Sequence, residues 1–390
     1  MSIQSELERL RQNIAAAYAA VAEKGGTLPG AQNSGNLAAA IRSIPYEPVH
    51  VYGVSWADAQ SSRLVRTDDA AGLPDPVPAV GTGAGSSPFD GKYPWSGMVR
   101  VTDGENALVA IPKFWVKVTA NPFSVRISDR EQEGYQLSPA HRDRGDGNGE
   151  RDVVYIGRYE CDAAYQSKSG QAPLVSKNLT NFRTGISALG ADYWQADYAL
   201  QLTVWFLYLV EFASWDGQAA LARGNVDSGA VLPTGGTDGM TYHTGRAEGQ
   251  DGTAAMQYRW IENLWGNVRE LRDGILFSGT GIYTYANPAQ FASSITGAGV
   301  AQRSCLRPET SGLVGAWAGD AEDASFIFPS ASAETSPIPD EYQGRTGVRV
   351  LVTGGFYGSG DAAGPFAVNT YYAPQNVFAN MGARLQKLPT

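Results

Sequence analysis

The sequence predicts an α+β fold that is rich in loops and short β-strands and begins with a short helical segment. The chain has 46 Gly and 21 Pro among its 390 residues, and these residue types interrupt regular elements. Short apolar or alternating runs, typical of strands, recur from about residue 49 to the C-terminus. Apolar residues at helical spacing occur chiefly in residues 1–48 and 193–212. Long helices are therefore expected to be few.

The N-terminal segment carries apolar residues at alternating steps of four and three. A parallel coiled coil needs this spacing, and the pattern covers about three heptads. One interpretation is an oligomerisation helix, and the other is a single amphipathic helix that packs on the rest of the chain. Ser34 is expected to cap a second short helix that ends before Pro45. Residues 1–48 are thus predicted to be a helical oligomerisation or attachment segment, whose seam is Ile3, Leu7, Leu10, Ile14, Ala17 and Val21.

Residues 49–100 are predicted to be a β-rich connector, with strands near residues 49–54 and 98–101. Its glycine-rich stretch around Gly83 is interpreted as a loop, because no helix follows to form a phosphate site. Further strands are expected within residues 108–118 and 153–159. Residues 193–212 place aromatic and aliphatic side chains at three- and four-residue steps, which predicts a buried helix.

Composition and charge narrow the possible partners. A hydrophobic fraction of 43% with 11% aromatics provides for a large core. The net charge is -9 and basic runs are lacking, which argues against nucleic acid and anionic membranes as partners. No apolar run approaches the roughly 20 residues that span a bilayer, and the first twenty residues do not resemble a signal peptide. We expect no membrane insertion and synthesis without a signal peptide.

The C-terminal residues 349–385 are the most informative part of the chain. Residues 349–356 and 381–385 are two strand-like flanks. The stretch between them has neither the two-residue period of a strand nor the 3.6-residue period of a helix, and it is rich in Gly, Tyr and Asn. Tyr supplies contact area with few rotors, and Asn, Ser and Gly supply adaptable hydrogen bonding, as in antibody loops. This composition predicts a ligand-binding surface. The candidate ligand-binding residues are Tyr357, Gly358, Ser359, Asp361, Phe366, Val368, Asn369, Tyr371, Tyr372 and Asn376.

The acidic loop 143–152 alternates oxygen-bearing side chains with glycines. Calcium prefers six to eight oxygen ligands on a flexible turn, so calcium is one interpretation of this loop. The other is a solvated turn that its own Asp and Asn side chains stabilise, since the full calcium-binding pattern is lacking. No cofactor is predicted elsewhere.

Sequence motifs typical of catalytic sites are few in this chain. Cys161 and Cys305 are expected to be buried thiols, although one bridge between them is the alternative. The histidines, His50, His141 and His243, show no zinc-binding spacing, and no Gly-x-Ser-x-Gly elbow occurs. The chain is therefore predicted not to be an enzyme.

Three motifs resemble one known family. The order Arg349-Val-Leu, Gly354-Gly-Phe, variable stretch, Gly382-x-Arg-Leu is similar to the C-terminal end of C-type-lectin-fold domains related to the formylglycine-generating enzyme. Such domains serve in phage and prophage tail receptor-binding proteins, including variable proteins of diversity-generating retroelements. Residues 258–271 resemble the central segment of that fold, and residues 153–160 its early strand. Residues 51–159 are also similar to tail proteins of phages and prophages.

The resemblance implies a C-type-lectin-like (formylglycine-generating-enzyme-like) domain over residues 101–390, with a C-terminal surface that a retroelement can diversify. It implies host-receptor binding in a virion tail, after synthesis in the bacterial cytoplasm. The expected partners are a host cell-surface protein or glycan, other tail or baseplate proteins, and two further copies in a homotrimer. The copper-binding cysteine pair of the catalytic branch is missing, because Cys161 and Cys305 lie far apart. A structural tail or baseplate protein and a surface-glycan-degrading enzyme are the alternatives.

Overall fold

The computed structural model describes residues 3–43 and 48–389. They fall into two compact units that divide between Val49 and His50. The division places residues 50–100 in the larger unit, where Tyr52, Phe89 and Trp95 belong to the main hydrophobic core. Residues 50–100 therefore contribute core side chains to the large unit.

The small unit is a pair of helices, α1 (Ile3–Glu23) and α2 (Ser34–Arg42). Tyr18 and Val21 of α1 are buried with Ala40 of α2, and Ile14 and Leu37 pack against them. The C-terminal half of α1 therefore uses its predicted seam to contact α2.

The start of α2 differs from the prediction by one residue. The Asn33 side chain, and not that of Ser34, accepts the backbone N–H of Asn36 at 3.1 Å. The helix ends at Arg42 as predicted, while Pro45 lies outside the described residues.

The first half of the α1 seam is exposed. Ile3, Leu7 and Leu10 have exposed fractions of 83%, 52% and 54%. These three side chains form an apolar stripe that α2 does not cover, and we call it the α1 stripe. The heptad pattern thus divides into a half buried within the unit and a half that faces outward.

The large unit is mixed α/β, made mostly of β-sheets with few helices. Its α-helices are α3 (Leu179–Ser187), α4 (Tyr198–Phe212) and α5 (Gly217–Ala220). Single turns of 3-10 helix occur at Trp95–Gly97, Pro139–His141, Pro288–Gln290 and Gly360–Ala362. The strands of the first half are β1 (Val51–Ser55), β2 (Val65–Asp68), β3 (Ala79–Val80), β4 (Arg100–Asp103), β5 (Asn106–Pro112), β6 (Trp115–Ala120), β7 (Phe123–Ser128), β8 (Gln136–Leu137), β9 (Val153–Gly157) and β10 (Tyr193–Gln195). The strands of the second half are β11 (Gly245–Arg246), β12 (Met256–Tyr258), β13 (Ile261–Glu262), β14 (Arg269–Ser278), β15 (Gly281–Tyr285), β16 (Val300–Gln302), β17 (Gly312–Gly319), β18 (Ile327–Ala333), β19 (Glu341–Gly344), β20 (Arg349–Thr353), β21 (Val368–Thr370), β22 (Met381–Gly382) and β23 (Leu385–Lys387).

In the part of the chain that the structure describes, these strands form four sheets. Two have five strands each, in the orders β2-β1-β7-β6-β8 and β10-β23-β9-β5-β4. A third has the order β13-β12-β11-β3, and the largest runs β16-β15-β14-β20-β21-β19-β17-β18, with β22 beside β14. The last strand, β23, lies between β9 and β10. This pairing ties the C-terminus to the early strand at residues 153–157.

Helix α4 is the buried helix that the apolar spacing predicts, although it is shorter than residues 193–212. Residues Tyr193–Gln195 instead form β10, which pairs with β23. The Asp197 side chain then caps the helix by accepting the N–H of Leu200 at 2.9 Å. Nearly every residue of α4 is buried. The aromatic residues of this helix are therefore core residues, as predicted.

The segment around Trp265 fixes several loops. Asn263 and Asn267 donate from their side-chain amides to Oε1 of Glu160 at 3.1 and 3.0 Å. Glu262 accepts the backbone N–H groups of the loop at Gly235 and Thr237. Burial raises the pKa of the Glu160 carboxyl to about 7. Buried amides and carboxylates need such partners, and the predicted structural role of this segment is confirmed.

Both cysteines are buried free thiols, which confirms the first of the two interpretations. Burial raises the pKa of Cys305 to about 11. Among the described residues no helix has the length and apolar character required to cross a membrane.

Candidate functional site

The scaffold of the C-terminal surface is the centre of the large sheet. Strand β20 pairs with β14 on one side and with β21 on the other. The stretch predicted to be irregular thus contains a strand, β21, which also runs parallel to β19. It divides the stretch into a first loop, residues 356–362, and a second loop, residues 371–378. Two loops therefore extend from a rigid sheet.

Three of the candidate binding residues lie in the core, which corrects that part of the prediction. Phe366 and Val368 are fully buried, and Asn369 is 3% exposed. The Phe366 ring packs against Trp205 and Trp215, with centroids 5.6 and 4.9 Å apart. These side chains have apolar or sheet partners and no access to a ligand.

The first loop holds four of the predicted residues at the surface. Gly358 and Asp361 are exposed, and Tyr357 and Ser359 are half-buried. The Tyr357 backbone is fixed at both ends, since its N–H donates to Asn267 O at 3.0 Å and its carbonyl accepts from Gly229 N at 3.1 Å. The backbone is therefore held at Tyr357 by contacts that do not involve the Tyr357 side chain.

Asp361 also has an ion-pair partner. Its Oδ1 lies 2.6 Å from Nη1 of Arg223, although the carboxylate itself is 88% exposed. An exposed pair of this kind contributes little stability, so Asp361 remains open to a ligand.

The second loop contains the other three candidate ligand-binding residues. Tyr371 is 39% exposed, while Tyr372 and Asn376 are half-buried. The Asn376 side chain accepts the N–H of Ala373 at 2.8 Å, so it shapes the turn. Phe378, which the sequence did not single out, is 40% exposed and its ring centroid lies 4.7 Å from that of Tyr372.

Arg269 joins the two loops. Its guanidinium lies 4.4 Å from the Phe356 ring centroid, and Nη1 donates to the Tyr372 hydroxyl at 3.1 Å. Because Phe356 contacts Tyr357 and Tyr372 contacts Tyr371, the rings of both loops belong to one surface. We call Tyr357, Phe356, Tyr372, Tyr371 and Phe378 the aromatic row.

Electrostatics beside the aromatic row are set by arginines and one half-buried acid. Burial, the largest effect, raises the pKa of Glu341 although Arg269 opposes the rise; the two side chains lie 3.7 Å apart. At the far end, the Arg345 guanidinium stacks 4.6 Å from the Tyr371 ring centroid. Such cation–π contacts orient the ring and leave one face for a partner.

Sequence reasoning missed Arg345, Phe356 and Phe378 as members of this surface, and it missed the buried Arg269 that joins its two loops. Phe356 and Phe378 had a signal, since both lie in or beside the stretch already chosen. Arg269 and Arg345 had none, because they lie in other parts of the chain and only the sheet brings them together. The surface offers aromatic faces, the exposed Arg345 guanidinium and backbone-held loops, which suit recognition.

In the acidic loop 143–152, the Asp side chains form the hydrogen bonds expected of a turn that they stabilise. Asp143 accepts the N–H of Gly145 at 2.8 Å, and Asp146 accepts that of Asn148 at 3.2 Å. Asp146 is also paired with Arg151 at 2.5 Å. Within residues 3–43 and 48–389, no group of three or more His, Cys, Asp or Glu side chains is placed to hold a metal ion.

Comparison with known proteins gives distant similarities. No protein-family model matches the sequence, and no curated protein sequence matches it. Among solved structures, the chain is similar to the Major Tropism Determinant U1 Variant at 13% identity, over 83% of this chain and 91% of that one, with a TM-score of 0.29. The Major Tropism Determinant M1 Variant is similar at 12% identity, with the same coverage and TM-score.

Proposed function

We propose that this protein is a non-catalytic receptor-binding protein of a phage or prophage tail, with the aromatic row as its binding surface. The observation that carries the proposal is the joining of two loops, through the buried Arg269, into one aromatic surface. Tyr and Arg are the residues that most often dominate binding energy at interfaces.

The division between fixed and variable positions supports a diversifiable surface. Phe366 and Val368 are core residues, whereas Gly358 and Asp361 before them and Tyr371 after them are exposed. Surface substitutions usually change stability by no more than about 0.5 kcal/mol. A retroelement that rewrites the exposed codons would therefore alter target choice without unfolding the domain.

The motif resemblance supports a C-type-lectin-like scaffold and a tail location. The central segment and the C-terminal Gly382-x-Arg-Leu motif meet in the core, where Arg384 donates to Glu262 O at 2.7 Å. The motifs that carry the resemblance are thus joined physically and hold the base of the variable loops.

The test is the double substitution Tyr357→Ala with Tyr371→Ala. We expect adsorption of the purified protein to susceptible bacterial cells to fall at least about tenfold, because both rings are surface contacts of the type that form hot spots. The melting temperature should change by only a few degrees, as expected for side chains outside the core. Adsorption is measured by fluorescence of the labelled protein on washed cells.

The matched control is Tyr283→Ala, a half-buried tyrosine on β15 that is not part of the aromatic row. Its adsorption should equal that of the parent. If the Tyr357 and Tyr371 variant adsorbs as well as the parent, the aromatic row is not the receptor site. A structural tail or baseplate role then becomes the better interpretation.

We further propose that the α1 stripe forms the contact between copies in a homotrimer. Ile3, Leu7 and Leu10 continue the heptad seam beyond the half that α2 covers. Several linked sites raise avidity by about a hundredfold to ten-thousandfold where the geometry allows simultaneous contact. Trimerisation would in this way strengthen weak single-site binding.

Replacement of Leu7 and Leu10 by Gln is expected to convert the trimer to a monomer, because it removes apolar area from the seam. Light scattering gives the molar mass. The control is Gln4→Ala with Glu8→Ala, which changes exposed positions of the same helix outside the seam. An unchanged mass in the Leu7 and Leu10 variant would contradict the oligomeric role of the stripe.

A further inference from the structure

A groove runs beside the second loop and the end of the aromatic row. Its volume is about 570 Å³, within the range of about 300–1,000 Å³ that is typical of ligand sites. Its lining includes Arg349, Val348, Pro374 and Gln375, together with Thr180 and Ser293, whose hydroxyl oxygens lie 3.1 Å apart. The lining therefore combines apolar side chains with one guanidinium, one amide and hydroxyl groups.

Arg349, which lines the groove, and Arg345, whose charge acts on Arg349, lack the carboxylate partners that most arginines of the chain have. Neither Arg345 nor Arg349 lies within ion-pair distance of a carboxylate among the described residues. Arg349 donates from Nε to Thr346 O at 2.6 Å, which leaves its two terminal nitrogens for another acceptor. Burial lowers the pKa of Arg349, and the neighbouring charges of Arg345 and Arg307 lower it further. The result is a local excess of positive charge on a protein of net charge -9.

We propose that the groove binds an acidic saccharide unit of a cell-surface polysaccharide, with Arg349 and Arg345 on its carboxylate or phosphate group. This inference rests on the proposed function, because it names the ligand class for the same surface. An anion relieves the repulsion between the two guanidinium groups, and a guanidinium presents paired donors that match a carboxylate or phosphate.

The remaining lining favours a saccharide over an acidic peptide. The amide of Gln375 and the hydroxyls of Thr180 and Ser293 are groups that both donate and accept hydrogen bonds, as neighbouring sugar hydroxyls require. The Gln375 side chain is exposed and makes no hydrogen bond within the described residues. Tyr371 lies two residues before Ala373, which lines the groove, and is stacked on Arg345; it adds an aromatic face for the apolar face of a sugar ring.

The test is isothermal titration of the full chain with three saccharide probes and one peptide. Tetragalacturonate carries carboxylates, mannose 6-phosphate carries a phosphate, and maltotetraose is the neutral control; tetraglutamate is the peptide. We expect one or both acidic saccharides to bind at least about tenfold more tightly than maltotetraose and tetraglutamate, with affinity that weakens as salt rises. Preference between the first two probes identifies the anionic group. Equal binding of tetraglutamate, or equal binding of maltotetraose, would overturn the proposal.

The variant is Arg345→Ala with Arg349→Ala, which should lower the affinity for the acidic saccharide at least about tenfold. If the double variant does not fold, the single variant Arg345→Ala is used instead, because Arg345 is exposed. This single variant should lower the affinity severalfold. The matched control is Arg100→Ala, an exposed arginine that stacks on Trp260, which should bind like the parent. Unchanged affinity in both groove variants would overturn the assignment.

Cell adsorption separates this inference from the proposed function. If the Arg345 and Arg349 variant adsorbs like the parent while the Tyr357 and Tyr371 variant does not, the receptor role stands and the ligand class is wrong. If the parent binds the acidic saccharide in solution but adsorbs to no bacterial strain, the groove assignment stands and the receptor role fails.

Discussion

Arg384→Met should lower the free energy of unfolding by about 3–5 kcal/mol, the range found when one partner of a buried ion pair is removed. Arg384 is completely buried, and its Nε and Nη2 donate to Oε1 of Glu270 at 3.0 and 2.7 Å. It also donates to the carbonyl groups of Gly157 and Arg158 at 2.9 and 2.7 Å. Methionine fills the space but leaves a buried carboxylate and several carbonyl groups without these donors.

The charge state of Glu270 makes this loss more severe. Burial disfavours the carboxylate, but Arg384 and Arg272 outweigh it and hold the pKa of Glu270 below its ordinary value. Without Arg384, Arg272 is the one cation among the described residues that remains within ion-pair distance of Glu270, at 2.6 Å. The variant must therefore keep a poorly compensated charge in the core or take up a proton.

Urea unfolding at pH 7, followed by tryptophan fluorescence, measures the effect. Arg384→Lys should fall between the parent and Arg384→Met, since an ammonium keeps the charge but lacks the planar array of donors. The control Arg345→Met removes an exposed arginine and should change stability by no more than about 0.5 kcal/mol. A loss below about 1 kcal/mol for Arg384→Met would show that the contacts of this arginine do not stabilise the fold.

Periodicity and turn residues were sufficient to locate most regular elements. The apolar spacing located the buried helix α4 because its stripe persists over four turns, and the strand-like runs located β5, β9 and β20. The spacing did not distinguish residues 193–195 from the helix, because their apolar side chains suit either element. Residues 193–195 form a strand because they pair with β23, about 190 positions later in the chain. Local sequence patterns do not contain information about such a distant partner.

The candidate site was predictable as a segment but not as a surface. Composition pointed to residues 357–380, yet it does not separate the buried Phe366 from the half-buried Phe356, because both are aromatic residues among glycines. The difference arises from β21, whose register places Val368 opposite Thr353 and turns the preceding residues inward. The order of strands in the large sheet brings the buried Arg269 between the two loops and Arg345 beside Tyr371.

Phe366→Ala should lower the free energy of unfolding by about 3–5 kcal/mol, as is typical when a phenylalanine is truncated in a core. The ring lies among Trp205, Trp215 and Trp317, with centroid distances of 5.6, 4.9 and 6.1 Å. Removal of the ring leaves a cavity between large, rigid side chains that cannot collapse fully. Tyr371→Ala, on the exposed second loop, is the control and should change stability by no more than about 0.5 kcal/mol.

The conservative variant Phe366→Leu separates a core role from a binding role. Leucine keeps most of the apolar volume, so the loss of stability should be smaller than for alanine. Adsorption to cells should match the parent, because Phe366 has no exposed surface with which to contact a receptor. Near-parent stability combined with lost adsorption would place Phe366 at the binding surface and contradict the division between core and loops. Lost stability with retained adsorption means that β21 and the aromatic core beneath it act as a platform, while target choice resides in the two loops.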